Sequence, residues 1–320
     1  MASKDTRRLN PGIQVKNMFV GPGTKVNPHL VPETSNAQVV SMKGPKLDVS
    51  GAAPSLCFAF NTSGALNRET PGDWLSASAI DLDGSNEYLN MSDHGDFDFE
   101  YDDTFSLSAW VKTTNTGDET IVSKMGSANS YRGWDFRSSS GRPRFRLQNT
   151  NGSKAIDVQS DDTDDQLNDS LSHHVVVTYD GSTNASGAKL YIDGNVKSKT
   201  THTDNLGNDT TVNAIDVNVG RADFGNYFDG YISHVSVWNK ELTTADITTI
   251  YNSGKPGNLS SSMAASSSNL IAWWKCGDGI SGSTADSSDS SDSDARIYDM
   301  GTGSHHLTPE NTEIYDIRKI

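Results

Sequence analysis

The sequence predicts an all-β chain, an antiparallel sandwich or jelly roll with one short helix, and three observations carry that prediction. Apolar and polar residues alternate over many short runs, the pattern of strands that bury one face. Turn formers punctuate those runs: there are 28 glycines, with Asn, Ser, Thr and Asp abundant throughout. Only one segment has helical spacing. Hydrophobic residues make up 34% of the 320, and six Trp with ten each of Tyr and Phe give bulk for a core.

Residues 1–50 hold Pro11, Pro22, Pro28, Pro32 and Pro45 with little periodicity, and read as an extended N-terminal arm without regular structure. Residues 51–258 carry the sandwich. Within them Phe105, Leu107, Ala109 and Val111 share one strand face, with Ser106, Ser108 and Lys112 opposite. The runs HHVVVTYDG, AKLYIDGNV and IDVNVGRA follow, each β-branched and each closed by a turn residue, and Asp193-Gly194 marks a tight hairpin. A further strand covers Tyr231–Leu242. The helix follows: Thr243 or Thr244 caps it, Ile247, Ile250 and Tyr251 form its apolar stripe, and Gly254 with Pro256 ends it. Residues 259–320 form a Ser-rich connector and a C-terminal segment. Its IAWWKCGDG run holds two tryptophans that a lone strand could not bury, so it is expected to return to the sheet and complete the sandwich.

The formal net charge is −15. Residues 1–30 carry Lys4, Arg7, Arg8, Lys16 and Lys25 against Asp5 alone, a net of +4, which leaves −19 on the remainder. Such a body repels nucleic acid and anionic membrane, so neither is expected as a partner. A basic arm on an acidic body suggests docking on another acidic protein surface, with Arg7, Arg8, Lys16 and Phe19 as its contact residues. Cys57 and Cys276 are too few for a disulfide framework and read as buried thiols. The first residues lack the apolar stretch of a signal peptide, and no run has the length of a membrane span, so synthesis in a cytoplasm is expected.

Taken in order, LDGSNEYLNM, FSLSAWVKT, IVSK, HHVVVTYDG, KLYIDGNV, NVGRA and FDGYISHVSVWNKELTTADITTIYNSG resemble the laminin-G-like jelly-roll family of the concanavalin-A-like superfamily. The resemblance covers roughly residues 78–255. It extends to Leu270–Ser288, an element that such domains usually carry before the first strand, so the order looks permuted. In style, the layout resembles virion structural proteins of tailed bacteriophages.

The resemblance implies calcium at the sandwich rim, held by loop carboxylates, with Asp81, Asp83, Asp161, Asp162, Asp223 and Asp229 as candidates. Where the family often has Asp-Glu in its late strand, this chain has Ser233-His234. The run Asp96-Phe97-Asp98-Phe99-Glu100 resembles the two-carboxylate strand of laminarinase-like glycosidases, although Asp96 replaces the glutamate nucleophile. The reading is therefore not an enzyme. No nucleophile elbow, metalloprotease helix or phosphate-binding glycine loop is present. His173-His174 and His305-His306 are neighbours that point to opposite strand faces, so neither pair can hold one metal ion. For sugar binding, the stretch Tyr131–Arg137, above all Tyr131, Arg132, Trp134 and Asp135, offers an aromatic platform beside polar groups, with Arg142, Arg144 and Arg146 close by. Trp134 shares a strand face with Phe136, which leaves the core as its other destination.

The expectation from these readings is a non-enzymatic virion structural protein, decorating a capsid or tail, homo-oligomeric, docked on other virion proteins by its arm, and able to bind glycans at the particle surface. A soluble carbohydrate-binding lectin is the alternative, and a laminarinase-like glycosidase the third reading.

Overall fold

The computed structural model describes residues 79–149, 154–161, 166–259, 267–276, 296–301 and 303–312, with four two-residue strands nearer the chain start. The chain divides into two compact units, Met1–Thr70 and Pro71–Ile320. In the first, β1 (Arg7–Arg8) pairs antiparallel with β2 (Gln14–Val15), and β3 (Ala59–Phe60) with β4 (Leu66–Asn67). Regular pairing at Arg7 and Arg8 departs from the expected structureless arm; Pro11 and Gly12, both turn formers, lie between the paired dipeptides in the sequence. Lys16, Phe19, Cys57 and Asp162 lie outside the described residues.

The second unit is a sandwich of two antiparallel sheets. One has the order β15-β11-β10-β9-β8-β16-β6-β19, the other β14-β13-β12-β7-β17-β18 with β5 also on β17. The strands of the eight-stranded sheet are β6 (Tyr88–Met91), β8 (Asp118–Gly126), β9 (Arg132–Ser139), β10 (Arg142–Gln148), β11 (Ala155–Ser160), β15 (Lys199–Asp204), β16 (Val217–Val219) and β19 (Thr308–Glu310). Those of the seven-stranded sheet are β5 (Ile80–Asp83), β7 (Phe105–Thr113), β12 (His173–Tyr179), β13 (Ala188–Ile192), β14 (Asn195–Lys197), β17 (Asp229–Trp238) and β18 (Leu270–Trp274). Leu107, Val111, Phe136, Phe145, Val175, Val177 and Val237 meet between the sheets in one buried core. Among the described residues no helix is long and apolar enough to cross a membrane.

A second, smaller core lies on the outside of the seven-stranded sheet. There α1 (Thr244–Tyr251) sets Ile247 and Ile250 against Val176, Tyr191, Trp238 and Trp273. A capping box starts the helix: Thr243 Oγ1 accepts from Asp246 N–H at 3.2 Å, and the Asp246 carboxylate accepts from Thr243 N–H at 3.0 Å. Asn252, left-handed at φ 47°, ends it.

The permuted order takes a definite physical form. One edge of β17 lies along β7, while its other edge is shared by two segments from opposite ends of the domain. Asp229–Ile232 pair with β5, and Val235–Trp238 pair with β18. The register sets Trp274 and Ile80 almost end to end, as though one strand had been cut between them. At the break His234 adopts φ 48°, and the Lys275 carbonyl accepts from His234 N–H at 3.2 Å and from the Ser233 hydroxyl at 2.9 Å. The two adjacent tryptophans of β18 point to opposite faces, Trp274 into the main core and Trp273 beneath the helix. The chain then crosses to the other sheet, where β19 pairs with β6 at the edge.

This arrangement makes the C-terminal segment part of the domain. Trp274→Ala should cost about 3–5 kcal/mol, the usual loss for a fully buried tryptophan. Ending the chain at Asn258 should lower the melting temperature of the whole domain. Unchanged melting after that truncation would make the segment an appendage.

Candidate functional site

On β9 and β10, Trp134, Phe136, Phe145 and Leu147 enter the core. Strand alternation therefore turns Asp135, Arg137, Arg144 and Arg146 to the opposite face of the eight-stranded sheet. The registers join these residues into rows across neighbouring strands. Asn90 faces Asn218, Asn218 faces Ser123, Ser123 faces Asp135, Asp135 faces Arg146, and Arg146 faces Asp157. One step along, Thr120 faces Arg137, Arg137 faces Arg144, and Arg144 faces Gln159. The outcome is a polar band spanning most of the sheet.

Charges within the band are matched. Arg137 Nε lies 2.6 Å from Asp135 Oδ2, and its Nη1 is 3.7 Å from Asp118. Arg144 grips Asp157 with two parallel bonds of 2.8 and 2.7 Å, while Arg146 Nε stands 3.9 Å from the same carboxylate. Three guanidiniums thus meet three carboxylates. Asp135 and Asp157 lie deep, with side chains 0% and 5% exposed, as does Arg137 at 7%, whereas those of Arg144 and Arg146 are 23% and 25% exposed and Asp118 lies at the surface. Burial raises the Asp135 carboxyl above its ordinary range, against the pull of Arg137. Burial lowers Arg146, while the bond to Asp157 raises Arg144. The buried Asp157 carboxylate fixes the Arg144 guanidinium by two hydrogen bonds and holds Arg146 by charge, so that two partly exposed guanidiniums stand side by side as donors. Such an array can bind hydroxyl, carbonyl or anionic oxygens.

The four sugar-binding candidates are divided by this geometry. Tyr131 stands at the end of the band, 41% exposed and packed edge-on against Phe224 at 5.2 Å, whereas Arg132 shares its strand parity with Trp134 rather than with Asp135. Arg132 Nη1 donates to the Val212 carbonyl at 3.2 Å. Gln148, at the end of β10, donates to the Ser130 carbonyl at 2.7 Å and so ties the Tyr131 turn to the band. Asp135 belongs to the band. Trp134 does not, because it is buried in the core with its indole N–H on the Phe97 carbonyl at 3.0 Å, and no sugar can stack on it. Arg137, Arg144 and Arg146 were visible in the sequence only as neighbours of those four, and their partner Asp157 was missed. The alternation Arg142, Arg144, Arg146 on a strand whose other face is apolar was the band's signal.

The calcium candidates are scattered. Asp83 and Asp229 face each other across β5 and β17, and Asp83 Oδ1 is taken by the backbone N–H groups of Ser85 and Asn86. Asp81 lies on β5, Asp161 accepts from the Ser198 hydroxyl, and Asp223 lies 3.9 Å from Arg221. Among the described residues, the trio of metal-binding side chains with ligand atoms mutually within 4.8 Å is His94, Asp96 and His305, and none of the six aspartates is in it. The acidic run that includes Asp96 is no strand. Gly95–Phe97 form a 3-10 turn, Asp98 lies 2.8 Å from Lys124 Nζ, and Glu100 accepts from the Thr210 hydroxyl and Thr211 N–H. The strand alternation that a pair of glycosidase carboxylates needs is absent there.

Beside Asp229, Glu119 is buried and accepts from Asp229 N–H at 3.2 Å and the Thr113 hydroxyl at 3.3 Å. Burial pushes its carboxyl up from 4.5 to about 7. The folded chain therefore keeps a proton that the unfolded chain releases above 4.5. The stability from this group is complete below that pH and is lost as the pH rises through about 7. His174 slopes the other way, since burial lowers it from 6.5 to about 3 and stability falls as its unfolded form gains a proton. Urea unfolding of the wild type and Glu119→Gln between pH 4.5 and 7.5 should differ by Glu119 alone, with the wild type losing relative stability as pH rises. Parallel pH curves would refute the assignment.

The family described as the concanavalin A-like lectin/glucanases superfamily matches residues 83–248. No curated protein matches the chain. Among solved structures, a Bacteroides ovatus protein provisionally described as carbohydrate binding is 15% identical, with a TM-score of 0.47. That match covers 73% of this chain and 58% of the other, so the chain spans little more than half of that protein's length. The CBM40 of Ruminococcus gnavus IT-sialidase, bound to α2,3-sialyllactose, is 15% identical with a TM-score of 0.42, covering 54% of this chain and 96% of its own. A SAP-like pentraxin from Limulus polyphemus is 14% identical with a TM-score of 0.40, covering 54% and 81%.

Proposed function

The chain belongs to the concanavalin A-like lectin/glucanases superfamily, and from that premise we propose that it is a non-catalytic carbohydrate-binding module whose ligand lies on the polar band. The observation that carries this reading is the pairing of Arg144 and Arg146 with the buried Asp157. Donors fixed in this way suit a polyhydroxyl ligand, and Tyr131 beside the band supplies an exposed ring on which a sugar can stack. The balanced charge of the band and the acidic body favour neutral sugars over polyanionic ones. Catalysis is disfavoured because Asp135 and Asp157 are both engaged by guanidiniums. A retaining glycosidase needs two available carboxyls about 5 Å apart.

Glycan-array binding followed by calorimetry on the best hit tests this reading. Arg146→Ala and Tyr131→Ala should each weaken binding about tenfold, the loss expected for one hydrogen bond to a charged group or one stacked ring. Arg146 is the better arginine to change, because removing Arg144 would strand the buried Asp157. Undiminished affinity in both variants would move the ligand elsewhere, and reducing-sugar release from laminarin would replace the module with an enzyme.

The charge asymmetry of the chain favours a wider setting, in which residues 1–50 form an assembly arm and residues 51–320 the displayed sandwich with its C-terminal return. In this reading the protein is a homo-oligomeric virion component, held on capsid or tail proteins through Arg7, Arg8, Lys16 and Phe19. Deleting the first 45 residues or so should leave the sandwich's melting temperature unchanged and abolish assembly, and added salt should weaken docking. Normal assembly without the arm would leave the soluble lectin as the setting.

A further inference from the structure

The trio His94, Asp96 and His305 joins two stretches remote in sequence. His94 and Asp96 flank Gly95 in the 3-10 turn after β6, and His305 comes from the C-terminal segment shortly before β19. Asp96 Oδ2 lies 3.0 Å from His305 Nε2 and 3.6 Å from His94 Nδ1. In a tetrahedral site with zinc–ligand distances near 2.0–2.1 Å, neighbouring ligand atoms stand about 3.3 Å apart. The two separations bracket that figure.

His305 is the more telling member. Its side chain is 4% exposed, yet neither ring nitrogen makes a hydrogen bond. Asp96 is close enough for one but lies off the N–H direction, as two groups aimed at a common third point would. Behind the ring, Asp299 Oδ2 is 3.6 Å from Nδ1. Asp299 is itself fixed by the backbone N–H groups of Trp273, Gly301 and His305. A carboxylate behind an imidazole whose other nitrogen faces an acidic partner is the outer support that metal-binding histidines use. The Phe97 ring meets His305 edge-on at 5.0 Å and limits its rotation.

The turn is also anchored on its flanks. The buried Lys124 ammonium lies 2.7 Å from Asp93 and 2.8 Å from Asp98 and donates to the Asn213 carbonyl at 2.7 Å. His94 and Asp96 are about half exposed, so the site is open to solvent for entry and for a fourth, water ligand.

We propose that His94, Asp96 and His305 bind one borderline divalent transition-metal ion, zinc being the best match, and that this ion clips the C-terminal segment onto the turn after β6. Two imidazoles and one carboxylate suit zinc, whereas calcium takes oxygen ligands. On binding, His94 Nδ1 exchanges its 3.2 Å contact with Asp96 N–H for the metal. Because ligands from two separate stretches are joined, binding free energy becomes stability of the segment between Ile297 and β19.

The test uses the full chain without an affinity tag, freed of metal with a chelator and titrated with zinc chloride in the calorimeter. One equivalent should bind, raise the melting temperature, and slow amide exchange across residues 296–310. His94→Ala and Asp96→Asn, both at exposed positions that leave the core untouched, should each weaken zinc at least tenfold, with the metal-free variants still folded and melting cooperatively. Cobalt(II) should give a visible d–d absorption that both variants lose. The proposal fails if zinc does not bind stoichiometrically, if both variants bind it as the wild type does, or if calcium reproduces the zinc-induced stabilisation.

Discussion

Strand β17 has two edges to satisfy, and the far edge is what the rest of the domain is built around. Buried backbone N–H and C=O groups need partners, and an uncovered edge would leave a row of them unpaired. No single segment covers that edge. The chain's first long-sheet strand, β5, takes one half, and β18, from beyond the helix and the Ser-rich connector, takes the other. The sandwich therefore closes only when segments from both ends of the domain arrive. Trp273 and Trp274 secure the second arrival, since consecutive residues on a strand face opposite ways and each finds its own apolar layer. The same segment then supplies Asp299, His305 and β19, so one anchored strand delivers contacts to both sheets.

Much of this architecture was legible because it rests on local rules. Period-two alternation marked β7, β12 and β13, Asp193-Gly194 marked the hairpin between β13 and β14, and the Thr243 cap with its Ile247 and Ile250 stripe marked α1. The return of Leu270–Trp274 could also be read, since two adjacent tryptophans demand two apolar faces. Which strand receives β18, and that it lies end to end with β5, depends on pairing between distant residues and leaves no mark in any short window. The short pairing of Arg7–Arg8 with Gln14–Val15 shows the opposite limit, for two residues offer no periodicity to read.

The candidate sites divide along the same line. Trp134 offered itself both as a sugar platform and, through its face partner Phe136, as core, and the structure buries it in the core. His305 was set aside with His306 because neighbours on a strand diverge. The structure places His305 and His306 in the irregular stretch before β19 rather than on a strand, and the fold brings His94 and Asp96 to His305. The arginine band is an intermediate case: the alternation of Arg142, Arg144 and Arg146 is local, while their carboxylate partners on β9 and β11 depend on register.

The fold alone gives little reason for that band. A buried ion pair is weak evidence for stability, because desolvating both charges offsets most of their attraction, and apolar residues of similar volume often serve as well. Here the carboxyl of Asp135 is raised by burial in spite of Arg137, the mark of a charge that its partner does not fully compensate. A sheet face that needed only to be stable could have been covered by β-branched and small polar residues. Three arginines and three aspartates on adjoining strands, with Asp135 and Asp157 buried and the guanidinium ends of Arg144 and Arg146 reaching solvent, instead place donors at fixed positions. Fixed donors matter when something else must meet them, since side chains already held in place lose less conformational entropy on binding. The polar network is thus better accounted for by recognition than by folding.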